Sequence, residues 1–359
     1  MKKNIFLISI LFLVFTLTLL LGLMSWQYLM TPMKTFDTRL NGASETTTVQ
    51  IKKGMSLKTV AQDLEKKFYI KNATWFVLFA KVLGKSNGLK VGEYQIQQTM
   101  TAFEILKVLT SGKSIHYSFT VSEGLNIFEI AQLFEDSGFG SKNDFLNQAR
   151  NPQLVQVLLN ENLSSFEGYL YPETYKITKN TTAQDLIRMM VKNFLKVYEN
   201  LPQKSPMSRH QFVTFASLIE KESGVPEERP LIASVFFNRL KKNMRLQTDP
   251  TVLYGKALKE GSYIISITRA DLRTPNPYNT YLNAGLPPGP ISNPGAESFK
   301  ALLRPATSNY LFFVSKNDGT HIFSETYEKH EKAVRQFQQD ARARKGKSWR
   351  DYSNSIEKN

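Results

Sequence analysis

An uninterrupted apolar run near the amino terminus constrains the architecture of this chain more than any other feature. Residues 4–33 contain no charged side chain and include the run IFLISILFLVFTLTLLLGLM. A helix needs about 20 apolar residues to cross the hydrocarbon core of a bilayer. Lys2 and Lys3 precede the run, and the positive-inside rule keeps such residues in the cytoplasm. The sequence therefore predicts a single-pass anchor over residues 1–33, with its amino terminus in the cytoplasm and the rest of the chain outside.

A cleavable signal peptide is the alternative interpretation of this run. Signal peptides usually have an apolar core of about 7 to 15 residues that ends in a small-x-small cleavage site. The residues from Gly22 to Trp26 make a poor cleavage site. Trp26 and Tyr28 also suit the aromatic belt at a membrane interface. The sequence therefore favours an uncleaved anchor.

The composition narrows the kinds of site that the exported part can contain. The chain has no cysteine and four histidines, and none of the histidines stands at a metal-ligand spacing with a carboxylate partner. We therefore predict no disulfide, no metal and no cofactor. The net charge of +15 is spread along the chain without a nucleic-acid-binding motif. It favours anionic lipids and anionic envelope polymers as partners, or simply a solvated surface, over nucleic acid.

Residues beyond the anchor suffice for two domains, and we expect an α+β chain. Residues 34–47 are polar and predict a flexible tether. Residues 48–115 predict a strand, two helices and a strand, with Ser56 and Thr101 as helix caps. This order, opened by a K-x-G-x-S-L phrase, resembles a LysM-type module, which in other proteins binds N-acetylglucosamine-containing glycans. The alternative is a small unit that merely packs one face of a sheet.

The rest of the chain predicts a larger mixed α/β domain. Residues 116–162 are expected to form a connecting subdomain that is helical from Asp144 to Leu159. Residues 163–340 are expected to form the large domain, and residues 341–359 a basic tail. Strands are expected at residues 310–314 and 320–323.

One helix of the large domain carries two glutamates at its end. Ser208 caps a segment in which Phe212 and Ile219 belong to one apolar face. Glu222 lies about 70° and Glu220 about 90° from the centre of that face, whereas Lys221 lies opposite and should be solvated. Partial burial would raise the pKa of either carboxyl toward that of a general acid. The alternative is a pair of surface charges at a helix end.

Ordered motifs downstream of this helix identify a family. Long loops in which polar residues stand among Pro and Gly are typical of the walls of a pocket. In chain order the motifs are E-K-E-S, S-V-F-x-N-R-L, M-R-L-Q-T-D-P-T-V, Y-N-T-Y and G-L-P-P-G-x-I-x-N-P-G. Together they closely resemble the MltG (YceG-like) family of bacterial membrane-anchored endolytic murein transglycosylases. The resemblance covers essentially the whole chain, from the anchor through the LysM-like part to the catalytic domain.

The resemblance implies non-hydrolytic cleavage of the β-1,4 bond between N-acetylmuramic acid and N-acetylglucosamine, which leaves a 1,6-anhydro end. Lytic transglycosylases carry their acid in a Glu-Ser pair at a helix end, which indicates Glu222 as the catalytic acid and then base, with Glu220 in reserve. By motif position, the candidate substrate-binding residues are Ser223, Gln247, Asp249, Asn279, Tyr281 and Tyr171. An Asx turn before Pro250 is the alternative role for Asp249.

Partners and rival functions follow from the same resemblance. The expected partners are peptidoglycan strands, membrane lipid and cell-wall synthases, with the anchor in the inner membrane selecting newly made strands. A non-catalytic peptidoglycan-binding scaffold and a hydrolytic muramidase are the alternatives. A muramidase would need a second carboxylate as nucleophile or base.

Overall fold

The computed structural model describes residues 2–33, 46–203, 205–264 and 266–339. The chain divides into two compact units, the first comprising Met1–Tyr117 with Lys176–Thr181 and the second comprising Ser118–Tyr175 with Thr182–Asn359. Most of the predicted tether and all of the predicted basic tail lie outside the described residues.

The first unit begins with the predicted apolar helix, α1 (Lys2–Met30). Within it, Ser9–Tyr28 has a mean hydropathy of 2.1, and none of this stretch is buried in the protein. At 1.5 Å per residue, such a stretch is about 30 Å long, which is the thickness of the hydrocarbon core. The helix is thus long and apolar enough to cross a membrane, although the same test is passed by signal sequences.

After α1, the described residues of the first unit contain a two-stranded sheet and three helices. Strands β1 (Thr46–Ile51) and β2 (Gly92–Gln97) are antiparallel. Helices α2 (Leu57–Lys66) and α3 (Ala73–Val82) connect them, and α4 (Ala102–Ser111) follows. The caps predicted at Ser56 and Thr101 are confirmed, because each side chain accepts a hydrogen bond from the main chain of the first helical turn. Strand β1 starts at Thr46, so residues 46 and 47 belong to the sheet rather than to a tether.

The second unit is mainly helical, with short strand pairs. Strands β3 (Tyr117–Thr120) and β4 (Thr174–Ile177) pair with each other, and the division between the units passes through both. Strands β5 (Phe312–Ser315) and β6 (His321–Ser324) form an antiparallel hairpin. The helices are α5 (Ile127–Asp136), α6 (Lys142–Ala149), α7 (Pro152–Leu159), α8 (Ala183–Glu199), α9 (Arg209–Glu222), α10 (Arg229–Lys241), α11 (Asp249–Glu260), α12 (Ala296–Leu303) and α13 (Tyr327–Val334). The predicted mixture of α and β structure is confirmed.

The helical structure predicted from Asp144 to Leu159 is present, but it is divided into two helices. The chain forms α6 and α7 with a break at Arg150 and Asn151. Pro152 cannot donate the main-chain hydrogen bond that a continuous helix requires. Instead, the Asn151 side chain accepts hydrogen bonds from the main chain of α7 and caps it.

Helix α9 is the centre of the second unit. Its residues from Phe212 to Glu220 are all buried, and it packs against α10, α11 and α12. Phe212 stacks on Phe299 of α12 with ring centroids 5.6 Å apart. A helix enclosed on every side is held rigidly by its neighbours. Its carboxyl end, where Glu222 lies, is therefore fixed in position.

The loop that carries the G-L-P-P-G-x-I-x-N-P-G motif is a core element and not a pocket wall. Ile291, Ser292 and Asn293 are fully buried. The Asn293 side chain donates to the Leu125 carbonyl at 2.9 Å and accepts from the Leu170 amide at 2.8 Å. It also donates to the buried Glu167 carboxylate at 3.1 Å. The expectation that this segment lines a pocket is wrong, because its polar groups bond to the protein itself.

Replacing Asn293 with Ala is expected to lower the free energy of unfolding by about 3 kcal/mol, since buried groups on two other segments lose their partner. Denaturant unfolding followed by circular dichroism measures the change. Asn283 in the same loop is exposed and bonds only to the main chain of that loop, so Asn283→Ala is the matched control with a small effect. Equal losses for the two variants would contradict the structural role of Asn293.

Candidate active site

A cavity of about 430 Å³ opens at the carboxyl end of α9. It lies entirely within the second unit, where α9, α10, α11, α13 and the β5–β6 hairpin meet. Its lining residues include both acids and aromatic rings. They are Glu222, Phe236, Arg239, Leu246, Gln247, Thr248, Asp249, Tyr281, Phe312, Phe313, Val314, Ser315, His321, Tyr327, His330 and Gln338.

Glu222 lies at the wall of this cavity as the last residue of α9. The Thr248 hydroxyl donates a hydrogen bond to its carboxylate. Burial raises the pKa of Glu222 above its ordinary value, and the negative charge of Asp249 raises it further. The hydrogen bond from Thr248 acts in the opposite direction, as do the electrostatic influences of His321 and Arg239. A carboxyl with a raised pKa that faces an open cavity can carry a proton to a bound molecule.

Asp249 and Tyr281 form a pair across the same cavity. Asp249 is the first residue of α11, where Pro250 occupies a position that needs no amide donor. The Tyr281 hydroxyl donates to the Asp249 carboxylate at 2.6 Å. Burial and the adjacent carboxylate raise the pKa of Tyr281, so its hydroxyl keeps its proton. The pair therefore places a charged carboxylate beside the protonatable Glu222.

The segment before α11 brings Gln247 and Thr248 to the cavity. Gln247 has a φ of 53°, in the left-handed region that residues other than glycine rarely adopt. Its amide donates to the Thr280 carbonyl at 3.2 Å. The Thr248 amide donates to the Thr280 hydroxyl at 3.1 Å. These bonds hold an unfavourable backbone geometry that directs the chain into the cavity wall.

Arg239 of α10 supplies a buried positive charge. Its guanidinium donates to the Leu311 carbonyl at 2.6 Å and to the Leu246 carbonyl at 2.7 Å. It also lies 5.2 Å from the centre of the Phe312 ring. Arg239 thus connects the hairpin to the segment before α11, and its charge favours the ionised form of Glu222.

His321 of β6 is oriented by an acidic partner. Its Nδ1 lies 2.7 Å from the Glu228 carboxylate, and its main-chain amide donates to the same carboxylate at 2.9 Å. A carboxylate can only accept, so Nδ1 carries the hydrogen. The ring is therefore held in one orientation at the cavity wall. No three His, Asp or Glu side chains in the described part of the chain are grouped as metal ligands would be.

Four of the predicted site residues do not line the cavity. Glu220 is buried and faces away, where Arg229 lies 3.0 Å from its carboxylate. The Gly295 amide donates to the same carboxylate at 3.0 Å, and the Ser298 hydroxyl does so at 2.7 Å. All of these partners lie on neighbouring segments of the protein, so Glu220 stabilises the packing of α12 and α10 against α9.

The side chains of Ser223 and Asn279 also bond to the protein itself, whereas Tyr171 does so through its main chain. The Ser223 hydroxyl donates to the Ile219 carbonyl at 2.6 Å. The Asn279 side chain donates to main-chain carbonyls that include that of Thr274, and it accepts from the Tyr281 amide at 2.9 Å. The Tyr171 carbonyl accepts from the Tyr175 hydroxyl at 2.5 Å. Asn279 therefore positions Tyr281, while Ser223 ends α9.

The burial of Lys221 also differs from the prediction. It is half-buried, and its ammonium donates to the Gly124 carbonyl at 3.1 Å and lies 5.7 Å from the centre of the Tyr263 ring. The prediction of a solvated side chain is wrong, because the segment before α5 covers this face of α9. A single helix carries no information about which segments pack around it.

Opposite pKa shifts of Glu222 are expected when its two closest polar neighbours are replaced. Asp249→Asn removes a negative charge and should lower the pKa of Glu222. Thr248→Val removes a hydrogen bond to the charged form and should raise it further. Titration of ¹³C-labelled glutamate side chains by NMR measures both shifts. Asp63→Asn in the first unit is the control without effect, and shifts of the same sign would contradict this arrangement of Asp249 and Thr248 around Glu222.

Known proteins provide an independent comparison. The sequence profile of the YceG-like family matches residues 49–336. An endolytic murein transglycosylase of Bacillus subtilis is 36% identical over 310 residues, which cover 81% of this chain and 85% of the relative. One from Streptococcus pneumoniae is 29% identical over 87% of this chain, which spans only 62% of that longer protein. The crystal structure of a YceG-like protein from Listeria monocytogenes, 37% identical, matches 81% of this chain and all of its own with a TM-score of 0.54.

Proposed function

The chain belongs to the YceG-like family, and we propose that it is a membrane-anchored lytic transglycosylase that cuts within peptidoglycan strands. The bond cleaved is the β-1,4 link between N-acetylmuramic acid and N-acetylglucosamine, and the product carries a 1,6-anhydro end. Relatives named endolytic murein transglycosylases support the class of substrate and of reaction. The position of Glu222 at the cavity wall, with a raised pKa, is the observation that carries the proposal.

The proposed reaction uses Glu222 twice. The protonated carboxyl gives its proton to the glycosidic oxygen while the bond from that oxygen to C1 of the muramic acid breaks. The resulting carboxylate accepts the proton of the C6 hydroxyl on the same sugar as O6 bonds to C1. Glu222 ends the cycle protonated, and no water is consumed. The reaction therefore needs one carboxyl that changes its protonation state within the normal pH range.

The neighbouring residues have distinct proposed roles. The Asp249 carboxylate, held by the Tyr281 hydroxyl, stabilises the positive charge that develops at C1. Gln247 and Tyr281 hydrogen-bond to sugar hydroxyl and acetamido groups. Asn279 acts only by positioning Tyr281, since its own polar atoms are occupied.

A hydrolytic muramidase is the second candidate, and one observation favours it. Asp249 lines the same cavity as Glu222. Hydrolysing glycosidases use two carboxyl groups, one as the acid and the other as nucleophile or as base for water. Asp249 could fill the second role. A non-catalytic scaffold, the third candidate, would have no use for a proton donor at a cavity wall.

Mass spectrometry of the products separates the three candidates. The full-length protein in detergent is incubated with purified glycan strands, and the new strand ends are weighed. We expect anhydro ends, which are lighter than hydrolytic ends by one water. Reducing ends would instead establish a muramidase, and the absence of any cleavage would favour the scaffold.

The location of the enzyme is part of the proposal. Helix α1 spans the inner membrane with Lys2 and Lys3 in the cytoplasm, which places the rest of the first unit and the whole second unit outside. The enzyme then acts on strands newly made at the membrane, beside the cell-wall synthases. The LysM-like order β1, α2, α3, β2 makes glycan binding by the first unit a further proposed role.

A further inference from the structure

Helix α3 exposes an apolar face that the described residues of the first unit do not cover. Trp75, Leu78 and Val82 are 42%, 48% and 75% exposed. Their spacing of three and four residues places them on one side of the helix. The opposite side, which includes Phe76 and Ala80, is buried in the core. A contiguous apolar surface of this kind marks a contact site.

This face lies beside the proposed membrane-spanning helix. The Tyr28 hydroxyl of α1 donates to the Asn72 carbonyl at 2.8 Å and accepts from the Asn72 amide at 2.9 Å. Asn72 is the cap of α3. The Tyr28 ring also stacks on Phe79, with centroids 6.0 Å apart and an interplanar angle of 11°. The start of α3 is therefore attached to the end of α1.

The contacts of Trp75 indicate how deep this attachment lies. Trp75 lines a small cavity together with Leu21, Met24, Ser25 and Tyr28 of α1. Leu21 lies about 10 Å along the helix axis from Tyr28, toward the middle of the apolar stretch. If that stretch crosses the bilayer, Trp75 lies level with its last two turns. The same lipid that surrounds Leu21 then reaches the exposed face of α3.

The charges around α3 fit an anionic membrane surface. Lys71, Lys81 and Lys85 are all exposed, next to or within the helix. Long lysine side chains can place their ammonium groups among lipid phosphates while their aliphatic parts stay in the apolar layer. Trp75 has the amphipathic ring that favours this interface.

We propose that α3 is a second membrane contact, which lies in the interface of the outer leaflet with Trp75, Leu78 and Val82 toward the acyl chains. The proposal rests on the membrane-spanning role of α1. It commits to the bilayer as the occupant, because residues of α1 that share a cavity with Trp75 belong to the apolar stretch itself. The first unit would then be held on the membrane at two places.

Tryptophan fluorescence in liposomes that contain brominated lipids tests both the membrane-spanning role of α1 and the membrane contact by α3. The chain has three tryptophans, Trp26, Trp75 and Trp349, the last outside the described residues. One variant keeps only Trp26 and the other keeps only Trp75, with Phe at the remaining positions. Full-length protein is reconstituted in phosphatidylcholine and phosphatidylglycerol. We expect bromine near the headgroups to remove most of the emission of both variants.

The two variants distinguish a failure of the proposed α3 contact from a failure of the proposed α1 anchor. Quenching of Trp26 without quenching of Trp75 would overturn the contact by α3 and leave the anchor intact. Loss of quenching in both would overturn the anchor and, with it, this inference. A dimer that buries the α3 face would likewise shield Trp75 from the lipid and count against the inference.

Substitutions on the exposed face provide a second test. Leu78→Glu with Val82→Glu should reduce the quenching of Trp75 and leave that of Trp26 unchanged, because a charged face is excluded from the acyl region. Val157 of α7 in the second unit is 71% exposed, so Val157→Glu is the matched control and should change neither signal. Unaltered quenching of Trp75 in the double variant would contradict the proposed orientation.

Discussion

Replacing Glu222 with Gln is expected to lower kcat of glycan cleavage by about 10²- to 10⁴-fold, the usual contribution of a general acid or base. The amide has nearly the same shape and can still accept the hydrogen bond from Thr248, but it has no proton to give to the glycosidic oxygen. Because one residue serves both steps of the proposed reaction, the loss should lie at the upper end of that range. The release of anhydro ends from purified strands measures the rate.

The same substitution should not unfold the protein. A carboxyl whose pKa is raised by folding destabilises the native state increasingly as the pH rises above the unfolded-state pKa. Gln removes this penalty, so the free energy of unfolding at neutral pH should stay equal or increase. Glu227 is exposed on a short turn after α9, and Glu227→Gln is the control with full activity. Wild-type rates in Glu222→Gln would remove Glu222 from the mechanism.

Local rules explain why part of this site could be predicted from the sequence. Ser208 begins α9 as a helix cap, and the spacing of Phe212 and Ile219 defines its buried face. Counting residues at 3.6 per turn from that face places Glu222 at its edge, where one side can be buried and the other open. These relations involve neighbours along the chain. They hold in the structure because the tertiary fold agrees with them.

The rest of the cavity depends on contacts between distant segments. Arg239 bonds to Leu311, and His321 bonds to Glu228. No periodic pattern in the sequence relates the two residues of either pair. Arg239 belongs to the S-V-F-x-N-R-L motif, but the motif alone does not indicate its electrostatic role. Asn293 shows the reverse error. Its loop, rich in Pro and Gly, is typical of a pocket wall, but the Asn293 side chain instead satisfies polar groups inside the core.

Measurements of stability distinguish the role of Glu220 from that of Glu222, since both residues lie at the end of α9. Glu220→Ala is expected to lower the free energy of unfolding by about 3 to 5 kcal/mol, the typical loss when one partner of a buried ion pair is removed. Arg229, only 8% exposed, would lose its partner at 3.0 Å and keep only the half-exposed Glu123 carboxylate at 3.6 Å. The Gly295 amide and the Ser298 hydroxyl would lose their acceptor as well. Urea unfolding measures the change.

Activity per folded molecule then decides what Glu220 does. Glu220→Gln keeps an acceptor for part of this network, so it should fold better than the Ala variant and cleave strands at close to the wild-type kcat. Glu297→Ala is the stability control, because its pair with Lys300 is exposed and such pairs contribute at most about 1 kcal/mol. A Glu220→Gln protein that is stable but inactive would show that Glu220, and not Glu222, is the catalytic acid. Since Glu220 does not line the cavity, that outcome would require α9 to rotate before the substrate binds.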